Sequence, residues 1–102
     1  MMGVILLLEK VDLQIVIDRV KRMETIFDSL LQVWQEESAS LQEDTAVREK
    51  LETLVKYYES GVWLADFEKD EQGLLPKELK RGVLSEDTVY DFLRAIKEVL
   101  EE

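Results

Sequence analysis

Lys77, Lys80 and Arg81 place three cations within five residues, just downstream of Asp66, Glu68, Asp70 and Glu71. Alternating signs so close together form a salt-bridged clamp that fixes local geometry, which is the simplest reading because exposed ion pairs contribute little net stability. The functional alternative uses the nearby aromatics. With Trp63, Tyr57 and Tyr58 as one wall, the three cations could hold an anionic group or an acidic peptide. Because those aromatics recur at helical spacing, packing in the core competes with that role.

The carboxylates offer metal chemistry. Glu49-x-x-Glu52 and Glu68-x-x-Glu71 superficially match the paired acid motifs of all-helical, magnesium-dependent nucleotide pyrophosphatases. Magnesium needs oxygen ligands converging on one small octahedral site, whereas Glu49 and Glu52 flank Leu51 on the expected wet side of a helix. In a chain with 23 acidic residues, pairs at this spacing also arise by chance. Asp66-x-Glu68-x-Asp70 is no calcium loop, since Glu71 stands where that loop requires Gly and Lys77 stands where it requires Glu. Paired acids can hydrolyse glycosides, but no cleft or perturbed carboxyl is legible here.

Other catalytic classes are short of parts. The 102 residues contain no Cys and no His, which removes thiolate nucleophiles, Cys-ligated zinc, the commonest general base and the Ser/His triad. We therefore expect no catalytic residues, no metal site and no cofactor. A net charge of -10, from 13 basic against 23 acidic residues, opposes nucleic-acid binding and favours basic partners. The lack of Cys is consistent with a reducing cytoplasm. Val4-Ile5-Leu6-Leu7-Leu8 is apolar but has no preceding basic residue and runs into Glu9-Lys10, so it is read neither as an export signal nor as a membrane span.

The elements that must position these groups are helical. Leu13, Val16, Val20, Met23, Phe27, Leu30 and Trp34 alternate three and four apart, and Ile17, Ile26 and Leu31 widen that seam. This predicts helix one over 12–36, with Asp12 as its N-cap. Ser40 with Glu43 three residues on predicts a capping box opening helix two over 40–60. Its expected inner face is Leu41, Val47, Leu51, Leu54, Val55 and Tyr58, with Asp44/Arg48 and Glu52/Lys56 as outer ion pairs.

Gly61, Gly73 and Gly82 are each expected to end a helical stretch in the left-handed region. Between them, Val62–Gln72 should form a short helix with Trp63, Leu64 and Phe67 on one side and acids on the other, and Pro76 should open another ending near Gly82. Ser85 should cap a last helix over 85–101, with Glu86 and Asp87 in its first turn and Val89, Phe92, Leu93, Ile96, Val99 and Leu100 inward. The expected architecture is a single all-α domain over 1–102. It is a small bundle of three main helices with one or two short helices in the Gly61–Gly82 region, preceded by an apolar extension over 1–11.

A helix from Asp12 to Glu36 would span about 37 Å and the last helix about 26 Å, so the long stripe can outrun its cover. Together with the apolar run at the start, this marks Leu6, Leu13, Val16 and Val20 as a candidate self-association surface. The opposite reading, that loops and short helices cover the stripe, stays open.

From Tyr57 to Tyr90 the chain carries Y-Y-x-S-G-x-W-L-x-D-F-E-x-D-E-x-G followed by L-P-K-x-L-K-R-G-V-L-S-E-D. This long mixed string resembles the signature of a family of small bacterial proteins known as a domain of unknown function. The helix from about Ile17 through Thr25 resembles the family too, whereas Met1–Val11 looks like an addition to it. The resemblance implies a bacterial, cytoplasmic helical protein and brings no activity or catalytic residue with it. The expected function is a non-catalytic interaction module that binds a protein partner or a second copy of itself. The alternative is a magnesium-dependent all-helical nucleotide hydrolase using Glu49, Glu52, Glu68 and Glu71.

Overall fold

A computed structural model describes the backbone of residues 2–101 and the side chains of residues 13–98. The chain is all-α, with helices α1 (Met2–Glu36), α2 (Ser40–Glu43), α3 (Thr45–Glu59), α4 (Val62–Glu71) and α5 (Glu86–Glu101), and a 3₁₀ turn at Gly82–Leu84 before α5. Among the described residues no helix is long and apolar enough to cross a membrane.

The seam on α1 organises the core. Val16, Val20, Met23, Phe27 and Leu30 are buried along one stripe, because steps of three and four residues return to the same face of a helix. Leu13, Ile17, Ile26, Leu31 and Trp34 flank it, partly buried. The helix starts ten residues before the expected N-cap, so Asp12 lies inside α1 rather than capping it. The sequence supplies the reason: apart from Gly3, residues 2–11 are helix-compatible and contain no proline, so a nucleated helix propagates upstream.

Expected helix two is broken at Asp44. The first turn, α2, has Ala39 at its N-cap with no side-chain hydrogen bond, so the Ser40 capping box does not form. Asp44 instead turns extended, at φ -89° and ψ 116°, and its carboxylate accepts the N–H groups of Ala46 at 2.9 Å and Val47 at 3.3 Å. A carboxylate satisfying two orphan amides at a helix start outcompetes continuation of the preceding turn. With Asp44 so engaged, the expected pair with Arg48 does not form, nor does Glu52–Lys56; the ion pairs that form include Arg19–Asp66 and Arg81–Asp70.

Helix α3 runs antiparallel to α1. Lys50 Nζ meets Ser29 Oγ at 3.2 Å, and about two turns onward Tyr57 lies near Arg19 through their shared partner Asp66. Leu51, Leu54 and Tyr57 are its buried face, with Leu41 of α2 beside them. From α5, Val89, Phe92 and Ile96 enter the same cluster, with the Phe92 ring edge-on to Phe27 at 5.4 Å and to Trp34 at 6.5 Å. The side chains of Val99 and Leu100, expected on that face, lie outside the described set.

Gly61 and Gly73 adopt positive φ, 87° and 74°, and so turn the chain into and out of α4 where a Cβ would be strained. Gly82 does not take a left-handed conformation. Its lack of a side chain serves a close approach instead, since a Cβ there would lie 3.0 Å from Glu24 Oε1. Nor does Pro76 open a helix: a single turn closes with Leu79 N–H donating to Pro76 O at 3.2 Å. The Arg81 guanidinium donates to the carbonyls of Pro76 and Leu79, which occupies acceptors that a growing helix would need. Leu75 and Leu79 pin the turn to the core. On α4, Leu64 is exposed rather than inward, while Trp63 is buried and Phe67 partly so.

Candidate functional site

Helix α4 and the turn after it hold most of the residues suggested by sequence, and they divide into an inner and an outer group. The Trp63 indole Nε1 donates to Val83 O at 2.8 Å, its ring stacks on Phe67 at 5.2 Å, and Tyr58 tilts against it at 5.0 Å. Trp63 and Tyr57 are buried and Tyr58 half-buried, so the aromatic wall expected beside the cations is turned inward instead. Outside, Arg81 ties Asp70 and the 76–79 carbonyls together. Lys77 and Lys80 are exposed. The six residues therefore do not converge on one pocket.

Asp66 is the largest departure from expectation. The sequence pattern puts it with the acids on the outer face of its helix, yet it is 0% exposed. Spacing explains this: Asp66 follows Trp63 by three residues and precedes Phe67, which places it on the face that α4 turns toward the core. Its charge is met by donors from two other helices. Arg19 on α1 donates through Nε to Oδ2 at 2.8 Å and through Nη2 to Oδ1 at 2.6 Å. Tyr57 on α3 donates its hydroxyl to Oδ2 at 2.7 Å.

A two-pronged guanidinium–carboxylate pair with a third donor is among the stronger polar arrangements, and a buried carboxylate requires it because an unpaired charge in the core is costly. Burial first, then the hydrogen bond to Asp66 and its negative charge, pushes the Tyr57 hydroxyl well above the ordinary tyrosine pKa. The Arg19 guanidinium is raised as well, chiefly by its hydrogen bonds to Asp66. The triad joins α1, α3 and α4 and has the character of a structural lock. The Trp63/Asp66/Phe67 spacing was the signal that could have found it; nothing local points to Arg19.

The acids of the hydrolase alternative lie on exposed faces, Glu49 and Glu52 on α3 and Glu68 and Glu71 on α4. Among the described residues no three acids gather where a metal ion could sit. Of the four residues marked for self-association, Val16 and Val20 are buried within the chain's own core and Leu13 is partly buried against it, so this part of the seam is covered internally. The side chain of Leu6 lies outside the described residues.

An apolar surface does open elsewhere. Between α3 and α5 runs a groove of about 730 Å³, with Leu51 and Ile96 at its floor and Val55, Tyr58, Tyr90 and Leu93 along its sides. Tyr90 is 51% exposed, a large aromatic left at the lip. Charges of both signs border the groove, Glu59 and Glu98 against Arg94 and Lys97. Such an apolar channel with a polar rim is suited to take a hydrophobic helix face.

A family model described as Domain of unknown function (DUF4298) matches residues 20–102. No curated protein and no solved structure matches the chain.

Proposed function

The chain belongs to this family of unknown function, and from its geometry we propose that it is a non-catalytic interaction module that associates with a second copy of itself. The observation that carries the proposal is the α3/α5 groove with Tyr90 at its lip. The occupant we assign is the N-terminal part of α1 from another copy.

Length and composition support that occupant. At 1.5 Å rise per residue α1 is about 52 Å long, against about 22–24 Å for α3 and α5. The molecule measures 56 × 24 × 24 Å, so the long helix alone accounts for nearly the whole long axis. Its first turns carry Val4-Ile5-Leu6-Leu7-Leu8, which supplies apolar residues for a groove lined by leucine, isoleucine, valine and tyrosine. Glu9 and Lys10 follow, opposite in sign to one another as are the charges bordering the groove. Exchanging one helix end in each direction makes a closed twofold pair, the commonest form of self-association. The compartment we propose is the cytoplasm, where a chain without cysteine needs no oxidative framework. The hydrolase alternative has no observation in its favour.

The test is the solution mass of the intact chain beside two full-length variants, Leu6→Glu on the helix end and Tyr90→Glu on the groove. Each is expected to turn a dimer into an 11.9 kDa monomer. A dimer untouched by Tyr90→Glu would remove the groove from the interface.

A further inference from the structure

A second site stands apart from the groove and does not depend on it. Glu24 lies on the buried side of α1, four residues after Val20 and three before Phe27, and is 9% exposed. Its Oε2 accepts the Val83 N–H at 2.7 Å. Among the described residues its Oε1 accepts no hydrogen bond, and no cation comes within 4.0 Å of either oxygen.

Compare Asp66, which is fully buried where Glu24 keeps 9% exposure, and which has Arg19 on both oxygens and Tyr57 on one. Glu24 is about nine-tenths covered and has a single amide donor, whereas largely buried charges ordinarily have an oppositely charged partner. Gly82 passes close beside Oε1 with no side chain to cover it. No unpartnered side-chain oxygen of the described residues is sealed from solvent, so Oε1 reaches the outside.

Glu24 lines a cleft of about 400 Å³ between α1 and the turn before the 3₁₀ segment. Asp28 and Glu78 add negative charge there, Lys21 and Lys80 positive, and Leu79 gives an apolar wall. The lining thus carries one more acid than base, and Glu24 is the buried one of its three acids. A metal ion does not suit it, since among the described residues no three acids are grouped to hold one.

We propose that this cleft binds an alkylammonium or guanidinium group, whose N–H donors meet Glu24 Oε1 while its methylene stem lies along Leu79. The charge-assisted hydrogen bond supplies the missing donor, and the stem covers apolar surface as long cationic side chains do elsewhere. The group comes either from a free small cation or from an arginine or lysine side chain of a partner protein.

The test is a titration of the full chain, following the backbone amides of Thr25, Gly82 and Val83 by heteronuclear NMR. Three probes are used: acetyl-arginine amide, the uncharged isostere acetyl-citrulline amide, and a capped alanine pentapeptide with a central arginine. The arginine probes should give saturable shifts at these amides and the citrulline probe none. Pentapeptide binding about tenfold tighter than the single residue assigns the site to a partner's side chain, whereas equal affinity assigns it to a free cation. Glu24→Gln should weaken the arginine probes at least tenfold. Glu78→Gln, at an exposed position that spares the fold, should weaken them about two- to threefold by removing a charge at the mouth. No saturable shift up to about 100 mM probe, equal shifts from citrulline, or unchanged affinity in Glu78→Gln together with a folded Glu24→Gln would each overturn the assignment.

Discussion

Asp66 shows how one side chain can join three helices. Its carboxylate has no solvent of its own and depends on Arg19 and Tyr57, so Asp66→Asn should lower stability by about 3 kcal/mol in urea unfolding with an unchanged denaturant slope. The lower end of the range for broken buried pairs applies because Arg19 is 28% exposed and keeps some water. Tyr57→Phe removes one charge-assisted hydrogen bond and should cost about 1.5 kcal/mol near neutral pH. The raised Tyr57 pKa sets a direction for pH as well. Because the unfolded tyrosine loses its proton first, its contribution is complete below pH about 10 and falls as pH rises beyond that. Urea midpoints at pH 8 and pH 10.5 should therefore converge for Tyr57→Phe and differ for the parent chain. Equal pH sensitivity in both would place the alkaline loss elsewhere. Asp66 was hard to read because acids in an acidic chain look like a wet face, and its cation lies 47 residues away in sequence. Glu24 was missed for the same reason: it sits on a helix whose apolar seam was plain, and the backbone that meets it comes from 59 residues further on.

At the scale of elements, spacing was informative wherever one face alone decides burial. The three-four alternation of Leu13–Trp34 and the Val89, Phe92, Ile96 stripe correspond to the buried faces of α1 and α5. Ends were less legible, because several cap signals compete within a few residues. Ser40 and Asp44 are both reasonable caps, and Asp44 prevails by satisfying two amides while Ala39 leaves α2 without a side-chain cap. Asp44→Ala should thus cost about 1 kcal/mol, read as a lower thermal midpoint, and Ser40→Ala only a few tenths. Gly61→Ala forces a Cβ into φ 87° at the α3–α4 turn and should cost about 1–2 kcal/mol, although no atom crowds the site. A neutral Gly61→Ala would mean that the turn relaxes out of the left-handed region. The stretch after Pro76 was misread as helix because proline suits a first turn; the acceptors are drawn instead to Arg81, a tertiary contact with no local signature.

At the scale of the molecule, the chain closes one core around the middle of α1 and leaves two features that its own packing does not explain. One is a helix about 52 Å long beside partners less than half that length. The other is an apolar groove with an exposed tyrosine at its lip. The proposed self-association pairs the one with the other. With an apolar channel at the centre and charges of both signs at the rim, the dimer should tolerate added salt better than an association driven by the net charge of -10 against a basic partner would. The most direct measurement is the mass of the intact chain by light scattering across a concentration series, with Tyr90→Glu run beside it. The account predicts a dimer for the parent chain and an 11.9 kDa monomer for the variant, with unchanged helical content. A parent chain that stays an 11.9 kDa monomer at every concentration would contradict it.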